Sequence, residues 1–149
     1  MLLAEILNKK VEFEITNSGR KDFNTEAVIG NRKIMFDAES DNGLSWDVVF
    51  YERDLNSHPA SRSYSVTGSG KELEVFSMVK DSLLELIKQK NPDEISFTAD
   101  KKGGNTTRAD LYDRLVKRFK VPGYSYTRDT SSSNDYFLLR KDGVEFDYD

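Results

Sequence analysis

The sequence predicts an α/β (α+β) fold in which a mixed, mostly antiparallel central sheet has two helices packed on it. Short runs in the N-terminal half alternate apolar with polar residues, which is typical of half-buried strands. Two longer stretches of the C-terminal half repeat apolar residues every three or four positions, as amphipathic helices do. A further strand-like run lies between these two stretches, so we expect the sheet to include a parallel pair joined by a helix.

The composition is consistent with a single domain over all 149 residues, because this length suits one core and 11% of the residues are aromatic. Residues 1–63 are expected to supply the N-terminal strands. Residues 64–140 are expected to form the core half, with a glycine turn and two helices. Residues 141–149 form an acidic tail.

Several classes of protein are excluded or disfavoured by the residue counts. The chain has no cysteine, which excludes disulfides and thiolate metal sites, and its single histidine argues against histidine-rich zinc sites and Ser-His-Asp triads. No apolar run approaches the length of a membrane span, and the first seven residues are too short and too acidic for a signal peptide. We therefore expect a soluble, cytoplasmic protein with no membrane partner.

The first predicted strands are separated by polar turns. Residues 11–15 alternate apolar with polar side chains, as in a half-buried strand. Residues 26–29 and residues 33–37 repeat this pattern on either side of Gly30-Asn31, a pair that favours a tight turn. The three runs predict a half-buried strand followed by a hairpin.

The next two predicted strands flank a polar loop. Residues 45–52 are rich in aromatic and β-branched side chains, and Trp46 is expected to pack in the core or on the sheet rather than to serve as a ligand platform. Residues 62–67 return as a strand after the loop. His58 lies within that loop and is expected to be an exposed histidine.

The first helix is predicted over residues 71–90. Ser69 and Glu72 fit a capping box at its start, and Asn91-Pro92 is expected to end it. One face carries its apolar side chains, which are Val75, Phe76, Val79, Leu83, Leu86 and Ile87.

The second helix is predicted to begin after Thr107 and to end at Val121-Pro122-Gly123. One stripe of this helix contains Arg108, Leu111, Tyr112, Leu115 and Phe119. Residues 95–99 precede the helix as a short strand, and residues 123–128 and 135–140 follow it as a final strand pair.

A helix joins the strand at Tyr64 to the strand at Ile95. We therefore expect these two strands to be parallel neighbours with a right-handed crossover.

The turn over residues 66–71, which reads Val-Thr-Gly-Ser-Gly-Lys, lies where the first helix begins. A helix N-terminus preceded by small residues can bind a phosphate through its backbone N–H groups. The alternative is a simple turn with a good helix cap. It is not a Walker loop, because Lys71 is followed by Glu72.

Two motifs of this half follow one another in a characteristic order. The segment Ser65-Val66-Thr67-Gly68-Ser69-Gly70 precedes the long helix, and Leu111-Tyr112 lies in the second helix. This order resembles the GNAT superfamily of acyl-CoA-dependent N-acyltransferases, and implies a GNAT-like fold. Four segments are also similar to small uncharacterised bacteriophage proteins with a divergent GNAT-like fold: residues 67–70, residues 75–79, residues 95–99 and residues 108–115.

The resemblance implies an N-acetyltransferase that uses acetyl-CoA as its cofactor. Tyr112 would be the acid that protonates the leaving thiolate, with a core tyrosine as the alternative. The implied cofactor contacts are Tyr64 and Val66 for the pantetheine arm, Gly68, Ser69, Gly70 and Lys71 for the pyrophosphate, and Asn105 and Arg108 for further groups. No metal site is implied.

A second hypothesis is a non-catalytic phage protein that uses a degenerate form of this scaffold to bind a host protein or to form part of the virion. Ser65 stands where the family usually has Arg or Gln, and only about ten residues separate Ile15 from the next strand, where the family has two helices. Glu52 and Asp47 lie on a predicted strand, but the sequence does not place them near Tyr112. If phage-encoded, the protein is expected in the host cytoplasm, or in the virion under this second hypothesis.

Two groups of charged residues are also candidate binding sites. The second helix carries or adjoins five basic residues, Arg108, Arg114, Lys117, Arg118 and Lys120, but the net charge of −4 makes nucleic acid a disfavoured partner. Asp37, Glu39 and Asp41 alternate toward a turn, where a cation site and a solvated strand end are the two interpretations, the latter being preferred.

Overall fold

The structure, a computed structural model, describes residues 11–55, 72–100, 117, 121–130 and 134–143. Within these ranges the chain forms seven strands and one helix. In chain order they are β1 (Glu14–Ser18), β2 (Asp22–Ile29), β3 (Arg32–Ser40), β4 (Ser45–Asp54), α1 (Glu72–Lys90), β5 (Glu94–Asp100), β6 (Tyr124–Thr130) and β7 (Asn134–Lys141).

All seven strands belong to one mixed sheet with the order β1-β2-β3-β4-β5-β7-β6. The first four strands form an antiparallel meander. Its tightest turn is at Gly30, whose φ of 64° is readily adopted by glycine and strained for most other residues. The last three strands are also antiparallel to one another, with β7 between β5 and β6.

The parallel pair of the sheet is β4 with β5, and α1 lies between these two strands in the sequence. Parallel strands need such a crossover, because a short hairpin can join only antiparallel strands. The pair covers four registers, from Ser45 opposite Glu94 to Val48 opposite Phe97. The two halves of the sheet are therefore joined over a short length in its middle.

One face of the sheet packs against α1 and forms the core. Side chains on alternate positions of the strands point to this face, including Phe36 on β3 and Phe137 on β7, both with no exposed surface. A buried hydrogen bond of 2.7 Å joins the hydroxyls of Thr25 on β2 and Ser82 on α1, and a second bond of 2.7 Å joins Ser18 to Gln89. These contacts fix the helix against the N-terminal strands.

The opposite face of the sheet, which we call the polar face, carries cross-strand pairs of polar side chains. Lys33 and Glu26 form an ion pair of 3.1 Å, and Arg140 and Glu94 form one of 3.0 Å. Oppositely charged side chains on directly opposite positions, such as Glu94 and Arg140, or on diagonal ones, such as Glu26 and Lys33, stabilise a sheet by a few tenths to about 1 kcal/mol each. The polar face is thus held by hydrogen bonds and charges, whereas the α1 face is held by apolar packing.

The prediction of a GNAT-like α/β fold with two helices packed on the sheet is wrong for the part of the chain that the structure describes. In these residues seven strands form the sheet, and a single helix packs on it. The predicted second helix falls outside the described residues, apart from Lys117. The architecture is therefore a seven-stranded mixed sheet with α1 on one face.

The predicted parallel pairing is also corrected. We expected the strand at Tyr64 beside the strand at Ile95, but β5 has β4 on one side and β7 on the other along residues 94–97. A strand has only two edges, so no place is left there for a third partner. Helical periodicity correctly indicated a crossover, but it could not identify which upstream strand the crossover leaves.

Several local predictions are confirmed. The first helix was predicted over residues 71–90 and is observed as Glu72–Lys90, with the expected apolar residues buried or half-buried. Asn91 ends it with a positive φ of 46°, which is favourable for asparagine just beyond a helix, and Pro92 prevents continuation. Trp46, which was expected in the core, has 1% of its surface exposed.

Among the helices in the described ranges, none has the length and apolar character needed to cross a membrane.

Replacing Tyr124 by phenylalanine tests the contact that holds the start of β6 to the end of α1. The Tyr124 hydroxyl donates a hydrogen bond to the carbonyl of Pro92, and its loss is expected to lower the free energy of unfolding by about 1 kcal/mol. Burial, and secondarily the nearby charge of Asp93, raise the pKa of Tyr124 above its usual 10.0.

This shift has a definite sign in the pH dependence of stability. Because the phenol ionises more readily in the unfolded chain, its contribution is complete below pH 10.0 and is lost as the pH rises through the folded-state value. Urea unfolding below and above pH 10.0 should show a smaller alkaline loss for Tyr124→Phe than for the unaltered protein. Equal losses in the two proteins would contradict this account.

Candidate functional site

The strongest candidate site is the place where the parallel strands β4 and β5 part. Their pairing ends at Val48 and Phe97, yet β4 continues for six more residues and β5 for three. We call residues 49–54 of β4 the diverging segment. Backbone groups of parallel strands that separate can form hydrogen bonds with an extended ligand instead of with each other.

The N-terminus of α1 lies at this same end of the sheet. Since α1 connects two parallel strands, it must run back from the carboxyl end of β4 toward the amino end of β5. Glu72, where the helix begins, is therefore on the side where the two strands diverge. In open sheets with parallel strands, ligands bind at the carboxyl ends of the strands, next to helix N-termini.

One side chain of the diverging segment is a carboxylate buried on the α1 face. Glu52 has 4% of its surface exposed, and its Oε1 lies 3.4 Å from Nη1 of Arg32 on β3. Burial of a carboxylate is costly unless it is paired with a cation or hydrogen-bonded. The ion pair with Arg32 is one of the contacts that hold this charge inside the protein.

A second group on the diverging segment faces the polar side of the sheet. Tyr51 has 7% of its surface exposed, and its hydroxyl donates a hydrogen bond of 2.8 Å to Oδ2 of Asp37 on β3. The amide of Asn24 on β2 donates a bond of 2.6 Å to the other carboxylate oxygen, Oδ1. Acid–base groups therefore lie on both faces of the same stretch of β4.

The site residues predicted from sequence lie outside the described residues and stay predictions. They are Tyr112 as the catalytic acid and Tyr64, Val66, Gly68, Ser69, Gly70, Lys71, Asn105 and Arg108 as cofactor contacts. The structure corrects the identity of the neighbouring strand. The strand that pairs with β5 and then parts from it is β4, and not the predicted strand at Tyr64. The stretch of β4 that extends beyond its pairing with β5 is thus residues 49–54.

The sequence of β4 itself indicates its burial on both faces. Phe50, Tyr51 and Glu52 are consecutive and all buried, so side chains on both faces of this stretch are covered. A continuous run of large residues with little alternation is typical of such interior strands. Glu52 ends this run, so its position indicates a buried charge. Asp47, near the start of the strand, is exposed.

The three acidic residues considered as a cation site do not converge. Asp37 is bonded to Asn24 and Tyr51, whereas Asp41 lies in the turn that follows β3. Across the described ranges, no group of three metal-ligating side chains has an arrangement that could hold an ion. That turn is stabilised by Asn42, whose Oδ1 accepts hydrogen bonds from the backbone N–H groups of Leu44 and Ser45.

No protein-family model matches this chain, and no curated protein matches it.

Proposed function

We propose that the protein binds an acyl-CoA at the diverging segment and transfers the acyl group to an amine. The observation that carries this proposal is the parting of the parallel strands β4 and β5 after only four paired registers. The order of sequence motifs that resembles acyl-CoA-dependent N-acyltransferases supports the same ligand. The proposal rests on this local geometry and not on the overall fold.

The chemistry of the cofactor suits the two elements that meet at this end of the sheet. The pantetheine arm of CoA is extended and contains two amide groups, which can pair with strand backbone where two parallel strands separate, as a neighbouring strand would. The pyrophosphate is an anion, which a helix N-terminus stabilises through its N–H groups and dipole. The turn that precedes Glu72 contains Gly68, Ser69, Gly70 and Lys71, the predicted phosphate contacts.

In this proposal the amine attacks the thioester carbonyl beside the diverging segment. The nitrogen–carbon bond forms, the carbon–sulfur bond breaks, and the electron pair of that bond leaves on the CoA sulfur. Tyr112 keeps its predicted role as the acid that protonates this sulfur. The nitrogen must also lose a proton, so a group near β4 has to accept it or pass it to solvent.

Calorimetric titration of the full chain with acetyl-CoA tests the binding step. We expect saturable binding, and we expect Lys71→Ala to weaken it by about tenfold, the usual effect of losing one charge-assisted phosphate contact. The matched control is Lys88→Ala, which removes the same charge from an exposed position in the last turn of α1. The control should leave the dissociation constant unchanged.

Failure to bind would reject the proposal. If the folded protein shows no heat change at millimolar acetyl-CoA, the site is not an acyl-CoA site, and the non-catalytic hypothesis gains support. Equal weakening by Lys71→Ala and Lys88→Ala would show that general electrostatic attraction, and not the turn before α1, provides the binding energy. Titration with CoA lacking its acyl group separates recognition of the nucleotide arm from recognition of the acyl group.

A further inference from the structure

The strand β1 forms one edge of the sheet, and within the described ranges no strand pairs with its outer side. It pairs with β2 alone, and all five of its residues are exposed. Such an edge strand presents backbone N–H and C=O groups that can pair with a further strand. The other edge strand, β6, is less suited, because Tyr126 and Arg128 pack on the ring of Phe137 and have further contacts.

The two ends of β1 carry opposite charges. Glu12 and Glu14 lie at its start, whereas Arg20 and Lys21 lie in the turn that follows it, and all four side chains are exposed. In the part of the chain that the structure describes, none of the four forms an ion pair. Glu14 instead lies opposite Glu26 on β2, and like charges in that arrangement are destabilising. The acidic end and the basic end of β1 therefore both lack a counter-charge.

Two side chains of β1 point to the α1 face of the sheet. Ile15 lies opposite the buried Thr25, which bonds to α1, and Ser18 bonds directly to Gln89 on α1. Ile15 and Ser18 are an odd number of positions apart and still share a face, because the bulge in β1 adds one residue between them. Ile15 is 39% exposed although it is apolar and points to the side on which the core lies.

We propose that β1 pairs antiparallel with the β1 strand of a second copy of this chain, which joins the two sheets across a two-fold axis. A two-fold contact is self-complementary, so each pair of facing residues occurs twice. Facing residues of paired strands point to the same side of a sheet. Ile15 opposite Ser18 of the second copy meets this requirement, since both point to the α1 face. The second copy then covers the exposed Ile15 side chain.

This register also brings the opposite charges together. Glu12 precedes Ile15 by three residues, and Lys21 follows Ser18 by three, so Glu12 lies beside Lys21 of the second copy. Glu14 comes close to the turn that carries Arg20. The two-fold axis repeats both contacts, so the acidic end of each strand meets the basic end of the other. Exposed ion pairs contribute at most about 1 kcal/mol each, so these charges mainly select the register.

The dimer is expected to be weak and to form with rising concentration. A single short strand pair buries less than the roughly 1,000 Å² that stable interfaces exceed. The bulge at Thr16 also interrupts the ladder next to the two-fold axis. Two strands, β2 and β3, separate this contact from β4, so dimer formation is independent of acyl-CoA binding at the diverging segment.

Sedimentation equilibrium of the full chain at increasing concentration tests for this dimer. The average mass should rise from that of one chain toward that of two and no further. Glu12→Lys places like charges together at both ends of the contact and should raise the dissociation constant about tenfold. Adding Lys21→Glu to Glu12→Lys restores opposite charges and should restore the dimer, which a merely structural effect of either change would not do.

Two further variants complete the test. Asp142→Lys is the matched control, because it makes the same change of charge at an exposed residue that follows β7, and should leave the dissociation constant unchanged. Ile15→Lys should keep the chain monomeric, since a charged side chain on an edge strand opposes edge-to-edge pairing. Circular dichroism checks that each variant is folded.

The possible outcomes are distinct. A chain that stays monomeric up to millimolar concentration overturns the proposal. A mass that rises beyond two copies also overturns it, because that result indicates an open-ended contact between β1 and a different surface. Equal weakening by Glu12→Lys and Asp142→Lys, or no recovery in the double variant, shows that the charges at the ends of β1 do not meet. If Ile15→Lys does not fold, the charge-reversal variants decide the question.

Discussion

Replacing Trp46 by alanine is expected to lower the free energy of unfolding by about 3–5 kcal/mol, the range for removing a large aromatic side chain from a core. Trp46 has 1% of its surface exposed and lies opposite Ile95, where the parallel strands β4 and β5 meet. Its indole N–H also donates a hydrogen bond of 3.1 Å to the carbonyl of Gly43. Loss of the ring therefore leaves a cavity at the junction of the two halves of the sheet.

The size of this effect should depend on the ring and less on the hydrogen bond. Trp46→Phe keeps much of the apolar volume and loses the donor, so we expect a smaller loss of about 1–3 kcal/mol. Leu44→Ala is the matched control, since Leu44 is 50% exposed and its truncation should change stability by no more than about 0.5 kcal/mol. Urea unfolding of all three variants is followed by far-ultraviolet circular dichroism. Tryptophan fluorescence does not suit them, because Trp46 is the only tryptophan and two of the variants lack it.

A small effect of Trp46→Ala would have a functional meaning. A loss below about 1 kcal/mol would show that the ring does not support the core and would reopen its interpretation as a ligand platform. The full loss would instead show that Trp46 fixes the point at which β4 and β5 stop pairing. In that case the opening of the candidate site depends on a core residue outside the site itself.

Local features of the fold were predictable because short-range physics determines them. Alternation of apolar and polar residues identified the hairpin of β2 and β3, whose turn at Gly30 has the positive φ expected there. The apolar period of α1 and the stop at Asn91-Pro92 were equally local. These elements need only the preferences of adjacent residues, so the sequence was sufficient for them.

The strand partners were not predictable in the same way. The alternation within β5 shows which side chains face the core, but not whether its parallel neighbour is β4 or the segment near Tyr64. That choice depends on contacts between residues far apart in the chain. The pattern therefore indicated a helical crossover, and the structure was needed to show that it begins at β4.

The candidate site was predicted even less completely. Sequence motifs directed attention to the turn before α1 and to Tyr112, which lie outside the described residues. Tyr51 was missed, and Glu52 was named without its position in the site, because their contacts are with Asp37 and Arg32, which are on a neighbouring strand. A side chain's partner across a sheet follows from the register, and the register emerges only when the strands are assembled.

Replacing Arg32 by methionine is expected to destabilise the protein more than replacing its neighbour Lys33 by methionine. Both residues are on β3 and both form ion pairs, but they point to opposite faces of the sheet. The Lys33–Glu26 pair is the shorter, at 3.1 Å against 3.4 Å for Arg32–Glu52. Distance alone would make Lys33 the more important residue, whereas burial of the carboxylate leads to the opposite expectation.

The expected losses of stability differ because each substitution leaves behind a carboxylate that is buried to a different degree. The Glu26 side chain is 29% exposed and can be solvated by water, so Lys33→Met should cost at most about 1 kcal/mol. The Glu52 side chain is 5% exposed and would keep its charge in a poorly solvated place. Because Glu52 has further contacts and Arg32 is partly exposed, we expect about 1–3 kcal/mol for Arg32→Met, below the range for a fully buried pair.

A double variant identifies the cause of this loss. Adding Glu52→Gln to Arg32→Met removes the carboxylate charge that has lost Arg32 as its partner. Urea unfolding should then show that part of the lost stability returns. If Lys33→Met is as costly as Arg32→Met, or if Glu52→Gln brings no recovery, burial of the Glu52 charge is not what makes the pair important. Recovery would mean that Arg32 serves to keep an ionised carboxylate inside the diverging segment.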